Sequence, residues 1–245
     1  MEYLIKTTLI GLFFGTFGTT IGGILGVTFK NTSNKFLGFI LSLASGLMIA
    51  IVCFDLIPEA LEISGIPLII LGIIFGVICM IICDELVQKK FSINKCYKEN
   101  TLLKTGIIVS IGLALHNFPE GLAIGSGFGA SIKLGYSLAL AILLHDIPEG
   151  ISMSVPMKNG GMKISKVIFF VVLSGITTGI GAFFGAFVGT VSEKIIAICL
   201  SFAAGAMLYI VSGELIPESS KLYKGRMNSI GNILGFILGV FVTII

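Results

Sequence analysis

The stretch LSLASGLMIAIVCFDLIPEA (residues 41–60) recurs as LSFAAGAMLYIVSGELIPES (residues 200–219), without a gap and at an offset of 159 residues. Both stretches are largely apolar, and both end in an acidic residue followed by Leu-Ile-Pro-Glu. Apolar composition alone would not produce that shared acidic string, so the two stretches are copies of one helix. The same offset aligns other positions: Thr19 with Thr178, Gly22 with Gly181, Gly72 with Gly231 and Gly76 with Gly235.

The composition around this repeat is that of a membrane protein. Of 245 residues, 55 % are hydrophobic and 12 % are charged, whereas soluble domains carry about 25 % charged residues. A helix needs about 20 apolar residues to cross the bilayer. The polar interruptions delimit eight such spans, roughly 3–29, 36–58, 66–88, 102–129, 134–156, 165–191, 195–219 and 228–245. The predicted fold class is an all-α integral membrane protein with eight transmembrane helices in one transporter domain, 1–245.

The repeat divides these helices into a 3+2+3 arrangement. Repeat one covers about 3–88, the central helices about 102–156, and repeat two about 165–245. With two helices between three-helix copies, the copies run antiparallel. Such inverted repeats build secondary transporters, which bind substrate near the bilayer midplane. The first span is read as a helix, because its apolar stretch is too long for a cleaved signal peptide, and residues 88–104 are read as a connecting loop.

The basic residues predict the orientation, because Lys and Arg accumulate in cytoplasmic loops. With both termini outside, only Lys6, Lys133 and Lys194 lie at outer ends. The thirteen others fall at inner ends: Lys30, Lys35, Lys89, Lys90, Lys95, Lys98, Lys104, Lys158, Lys163, Lys166, Lys221, Lys224 and Arg226. The net charge of +3 therefore reflects membrane topology and does not indicate nucleic-acid binding. The absence of targeting features favours a prokaryotic plasma membrane.

The two central spans carry a second repeat, ALHNFPEGLAIG (114–125) and LLHDIPEGISMS (143–154), which contains both histidines of the chain. A spacing of four places His116 with Glu120, and His145 with Glu149, on one helix face. Two such helices face to face offer four ligands to one ion. Asn117 and Asp146 follow the histidines, where they could hold a second ion or anchor the first ligands. Prolines 119 and 148 free backbone carbonyls beside the motif.

Electrostatics favours a bound cation. A carboxylate at the bilayer centre costs about 2.5 to 3.5 kcal/mol, and Glu120, Asp146 and Glu149 cluster there without a Lys or Arg in any span centre. Imidazoles in the same cluster favour a borderline divalent metal over sodium or calcium. These ligands bind metal when deprotonated, so occupancy should fall with pH. The five cysteines include no CxxC pair and suggest neither a disulfide framework nor a thiolate zinc site.

The paired HNFPEG and HDIPEG strings resemble the signature of the ZIP family of divalent-metal transporters, in its shorter branch without a His-rich loop. The resemblance covers essentially the whole chain. It implies metal ligation by His116, Asn117, Glu120, His145, Asp146 and Glu149, uptake of Zn²⁺ toward the cytoplasm, a homodimer, and sliding of helices one, four, five and six against the others. Fe²⁺, Mn²⁺, Co²⁺ and Cd²⁺ suit the same ligands. The protein is not expected to be an enzyme.

Several positions depart from the motif or extend it. Thr178 stands where many related sequences have a glutamate on helix six, and we expect it to line the site. The duplicated acidic ends, Asp55 with Glu59 and Glu214 with Glu218, are either an outer and an inner ion mouth or solvated helix ends. Small-residue rows such as Gly18, Gly22 and Gly26 let helices approach closely, either for static packing or for sliding.

Other functions use the same residues. A haem-binding electron carrier would ligate iron through His116 and His145. An intramembrane zinc hydrolase would need an open coordination position and a general base, and no HExxH motif is present. A proton-coupled carrier of an organic solute would use the acids but give the paired histidines no role.

Overall fold

The computed structural model describes residues 1–29, 32–93 and 101–244. Within those ranges the regular structure is entirely helical, and eight helices are long and apolar enough to cross a membrane. They are α1 (Glu2–Thr28), α2 (Asn34–Ile63), α3 (Ile66–Ile93), α4 (Thr101–Ala130), α5 (Ile132–Asn159), α6 (Ile164–Gly189), α7 (Glu193–Leu222) and α8 (Arg226–Ile244). The predicted number and order of membrane helices are confirmed.

Serine side chains define where three of these helices begin. Ser33, Ser131 and Ser192 each accept a hydrogen bond from a backbone N–H in the first turn of α2, α5 and α7, at 3.2, 3.1 and 3.3 Å. Such caps satisfy N–H groups that have no partner inside the helix. The predicted loop at 88–104 is shorter than expected, because α3 continues to Ile93 and α4 begins at Thr101. Lys30, Lys95 and Lys98 lie outside the described residues.

Helices α2 and α7 each contain one π-helical turn at the same position of the repeat. The turns are Val52–Leu56 and Val211–Leu215, and in each the N–H of the following isoleucine bonds to the first valine's carbonyl. The proline that follows, Pro58 or Pro217, has no N–H to donate, which suits it to a break in the regular ladder. Helix α2 therefore continues to Ile63 instead of ending near residue 58 as predicted.

The helices pack as a central bundle of α1, α4, α5 and α6, flanked by the pairs α2–α8 and α3–α7. Exchanging α1 with α6, α2 with α7, α3 with α8 and α4 with α5 reproduces the contacting pairs, including α2–α5 and α7–α4. Five crossings separate α2 from α7, so they run antiparallel. This pseudo-two-fold relation is the inverted repeat that the sequence predicts.

Close backbone contact holds the central bundle together. A Cβ added to Gly22 of α1 would overlap the carbonyl oxygen of Ile147 on α5, and one added to Gly121 of α4 would overlap that of Thr178 on α6. The glycines of α8 likewise face α2. These glycine rows join helices within the central bundle or within a flanking pair. Such contacts fit static packing, one of the two roles that the sequence left open for them.

The main apolar core lies between the central bundle and the flanking pairs. It is formed by aliphatic side chains and methionines, among them Met48, Ile124, Leu138, Ile142 and Met207, all without exposed surface. Met48 and Met207, which occupy equivalent positions of the repeat, are thus core residues. We call the side where α1, α3, α5 and α7 end the basic face, since Lys158, Lys163, Lys221 and Arg226 lie there.

Candidate metal centre

Helices α4 and α5 bring the predicted ligands into the interior of the protein. His116 is 2 % exposed, and Asn117, Glu120, His145, Asp146 and Glu149 have no exposed surface. Each group sits on a helix of the central bundle. Such burial of three carboxylates and two imidazoles requires compensation by protons or a cation.

Glu120, His145 and Glu149 form the first cluster. One ligand atom from each lies within 4.8 Å of the others, and His145 Nε2 is 3.0 Å from Glu120 Oε1. Ligands of a tetrahedral zinc ion at about 2.0–2.1 Å are about 3.3 Å apart. The His145–Glu120 pair has about this spacing, and Glu149 lies close enough to both for the three side chains to be able to hold one metal ion.

The tautomer of His145 supports the same conclusion. His145 Nδ1 is 3.1 Å from the carbonyl oxygen of Ala141, and a carbonyl can only accept, so Nδ1 carries the proton. In a neutral ring Nε2 then carries a lone pair, which faces the Glu120 carboxylate. Two acceptors at that distance need a proton or a metal ion between them, and an imidazole fixed through its other nitrogen is the usual form of a metal-binding histidine.

His116 lies in a second cluster, with Asp84 of α3 and Glu214 of α7. Its Nε2 is 3.2 Å from Glu214 Oε1. His116 also interacts electrostatically with Glu149, so the two clusters adjoin. The structure thus differs from the predicted set of four ligands around one ion: it keeps Glu120, His145 and Glu149 together and turns His116 toward the basic face.

Asp84 was not singled out from the sequence. It lies in the second half of α3, after a long apolar stretch, and precedes Glu85 and several lysines, a context typical of a solvated helix end. No motif at its own position signals a ligand; only its approach to His116 and Glu214 does. The same contact places Glu214 beside the central site. Glu218, the other acid of the second repeat's pair, is exposed and pairs with Lys221 at 3.4 Å.

Asn117 and Asp146 flank the first cluster. Asn117 Nδ2 donates to the carbonyl oxygen of Ser174 at 3.1 Å and is 3.3 Å from the Ser174 hydroxyl. Its Oδ1 remains without a hydrogen-bond partner, as do both carboxylate oxygens of Asp146. Asp146 Oδ1 is 3.7 Å from His145 Nε2. Thr178, also buried, lies against Gly15 of α1 with its hydroxyl unpaired.

The acidic pair of the first repeat, Asp55 and Glu59, differs in this conformation from both sequence interpretations. Asp55, on the π turn of α2, is 7 % exposed and accepts a hydrogen bond from Ser137 of α5 at 2.9 Å. It is therefore neither a solvated helix end nor an open ion mouth in this conformation. Glu59, one turn further, is half-buried.

Comparison with known proteins identifies the family of the chain. The family model described as ZIP Zinc transporter matches residues 95–245, which include both HxxPEG motifs. The zinc transporter ZupT of Akkermansia muciniphila is 30 % identical, over 97 % of this chain and 95 % of its own length. The chain belongs to the ZIP family.

Other relatives in the ZIP family extend the comparison. The zinc transporter ZupT of Streptococcus mutans is 31 % identical over 96 % of this chain and 93 % of its own length. The bovine zinc transporter ZIP11 is 40 % identical over 54 % of this chain, but the match spans only 40 % of that longer protein. The ZIP assignment thus rests on near-complete matches to the ZupT proteins and on closer, partial matches to the ZIP11 proteins.

Proposed function

We propose that this protein transports zinc across the membrane and binds it between Glu120, His145 and Glu149. The observation that carries the proposal is a concentration of buried, unpaired polar atoms at this site. They are His116 Nδ1, Asn117 Oδ1, Glu120 Oε2, both oxygens of Asp146, both oxygens of Glu149, and Thr178 Oγ1. Buried polar atoms normally have partners, and a dication with its water would supply them here.

A route leads from the first cluster toward the basic face. Along this route His116 Nε2 contacts Glu214 Oε1, and the Glu214 side chain is 37 % exposed. On the opposite side, Ile124 and Ile142 lie about one turn from Glu120 and His145 and are fully buried. We infer that this conformation is open toward the basic face and closed on the other, and that Asp84, His116 and Glu214 receive the ion during release.

The orientation of the protein in the membrane follows from the basic loops. Lys and Arg favour the cytoplasmic side, so the basic face is cytoplasmic and both termini are outside. We propose a plasma-membrane location. In this orientation Asp55 and Glu59 lie toward the outer surface, where Asp55 becomes available to incoming ions when its bond to Ser137 breaks.

The remaining polar residues provide a second position for a metal ion. Asn117 Oδ1 and the Asp146 carboxylate are the ligand atoms left over by the first cluster, and Thr178 offers only a neutral hydroxyl. We propose that this position binds more weakly than the first. Fe²⁺, Mn²⁺, Co²⁺ and Cd²⁺ are further substrates that nitrogen and oxygen ligands accept.

Two larger-scale features belong to the same proposal. In the described part of the chain, the atoms nearest to a Cβ added to any glycine of the central bundle include no backbone atom of a flanking pair, which suits sliding of one against the other. Helices α3 and α8 are the least buried of the eight. Their exposed apolar faces are the surfaces we assign to a homodimer contact.

The test is zinc uptake into proteoliposomes that contain a zinc-sensitive dye. We expect uptake by the unaltered protein and its loss in Glu120→Gln with Glu149→Gln, because neutral amides cannot replace two anionic ligands. The matched control is Glu218→Gln, which changes an exposed carboxylate outside the site. Absence of uptake by the unaltered protein with zinc and with the other four metals would refute the proposal, and so would equal uptake by the double variant.

A further inference from the structure

A cavity of about 300 Å³ opens at the basic-face ends of α2, α7 and α8, away from the metal route. Its walls are mainly neutral polar side chains. These are Ser42, Ser219, Ser220, Asn228, Ser229 and Asn232. A hydroxyl- and amide-lined cavity near one end of three membrane helices is within reach of lipid headgroups.

The polar walls are held in place by specific hydrogen bonds. Asn228 Nδ2 donates to the carbonyl oxygens of Ser219 and Tyr223 at 2.8 and 2.7 Å, and Asn232 Nδ2 donates to Ser45 Oγ at 2.7 Å. Asn228 Oδ1 is buried and has no hydrogen-bond partner. These bonds connect all three helices, so the cavity is a built feature of the fold.

The inverted repeat supplies an internal comparison for this cavity. At the offset of 159 residues, Ser42 corresponds to Ser201, but the other five polar positions are aliphatic in the first repeat. Their counterparts are Ala60, Leu61, Ile69, Ile70 and Ile73. Repeat architecture therefore does not require the polar cavity, and an apolar version of the same junction exists at the opposite face.

Positive charge surrounds the cavity. Arg226 begins α8, and Lys224 precedes it in the same segment; neither forms an ion pair with the described residues. Lys221 is paired with Glu218, and Lys35 lies 5.8 Å from the ring centre of Tyr223. The equivalents of Lys224 and Arg226 in the first repeat are Gly65 and Pro67. Positive charge and polar side chains thus occur together at this junction and not at the residues equivalent to it in the first repeat.

We propose that this cavity binds the headgroup of an anionic phospholipid from the leaflet on the basic face. The phosphate lies between Lys224 and Arg226, beside the electropositive start of α8. The headgroup hydroxyls bond to the serine and asparagine side chains. Ile216 and Ile233, which complete the lining and are 40 % and 59 % exposed, contact the acyl chains. This site is independent of zinc transport.

The test is native mass spectrometry of the full-length protein in detergent, titrated with phosphatidylglycerol or phosphatidylcholine. We expect phosphatidylglycerol to bind about tenfold more tightly, since each nearby Lys or Arg strengthens binding of anionic lipid. Two double variants should remove this preference. Ser220→Leu with Ser229→Ile installs the first repeat's residues, and Lys224→Gln with Arg226→Gln removes the charge.

The matched control is Lys163→Gln with Lys166→Gln, which removes two charges from the same face but another loop, and it should keep the preference. An unaltered elution profile and helical circular dichroism establish folding of each variant. Equal binding of both lipids by the unaltered protein, no binding, or equal loss in the control would overturn the proposal. Displacement of the lipid by millimolar inorganic phosphate would also overturn it, because the site would then be one for a free anion.

Discussion

At the scale of single residues, the structure gives the two histidines different tasks although their motifs are alike. His145 is fixed through Nδ1 and faces Glu120, whereas His116 faces Glu214 near the basic face. A helix spacing of four makes the two positions look equivalent, and only contacts with other helices separate them.

The first prediction concerns this difference. His145→Gln should weaken zinc binding by at least about 100-fold, because it removes a ligand of the buried cluster and leaves Glu120 without a partner. His116→Gln should weaken binding by less than about tenfold and mainly slow uptake. Competition with a chelating dye measures the affinities. Equal losses of affinity would restore the four-ligand site suggested by the motif spacing.

The second prediction concerns the support of Asn117. Ser174→Ala removes the hydroxyl near Asn117 Nδ2 but leaves the Ser174 carbonyl in place, so zinc affinity should change by less than about tenfold. Asn117→Leu removes the amide altogether and should lower affinity by about 10- to 100-fold, the range for groups that orient ligands. The same dye competition applies. An Asn117→Leu variant with unaltered affinity would exclude Asn117 from the site.

At the scale of helices, backbone proximity decides which elements move together. Gly22 allows α1 to lie directly on α5, so the helix that carries His145 is fixed to α1. The π turns of α2 and α7 have another effect. Each inserts an extra residue into a helix turn, and the turn in α2 points Asp55 at Ser137.

The third prediction tests the α1–α5 contact. Gly22→Ala places a methyl group against the Ile147 carbonyl, and such overpacking costs about 1 to 3 kcal/mol. We expect the melting temperature in detergent to fall by at least about 3 °C. Gly112→Ala is the control, because the nearest atom to its added Cβ is 4.0 Å away, and it should leave the melting temperature unchanged or raise it. Equal melting temperatures for both variants would contradict the contact.

At the scale of the whole molecule, the inverted repeat produces two related halves that are not equivalent in chemistry. The α4–α5 site is flanked by buried aliphatic residues on one side and by Glu214 on the other. The polar cavity likewise occurs at one face. The antiparallel duplication thus produces the helical scaffold, and local substitutions make its two faces chemically different.

The fourth prediction concerns the stability of the whole protein. Zinc at about 100 times its dissociation constant should raise the free energy of unfolding by about 2.7 kcal/mol. The resulting rise in melting temperature should shrink as the pH falls from about 7.5 to about 5.5, because imidazole and carboxylate ligands bind zinc when deprotonated. Glu120→Gln should show little rise at any pH. A zinc-induced rise that is the same at both pH values would contradict ligation by these groups.

The membrane fold, the eight helices, the inverted repeat, the two motifs and the resemblance to the ZIP family could all be predicted from the amino-acid sequence. These properties follow from local apolar length, from the duplicated strings and from the helical period, all of which can be read along one chain. The family comparison confirms the resemblance. In each motif the glutamate could be predicted to share a helix face with the histidine, because the two residues are four positions apart.

The way in which those helix faces meet became visible in the assembled helices. The grouping of Asp84 with His116 and Glu214, the burial of Asp55 on Ser137 and the polar cavity between α2, α7 and α8 each join helices that are distant in sequence. Helix rotation and depth set such contacts, and they depend on glycine packing and on the π turns. No periodicity along a single helix encodes them, which is why Asp84 could not be recognised before the helices were assembled.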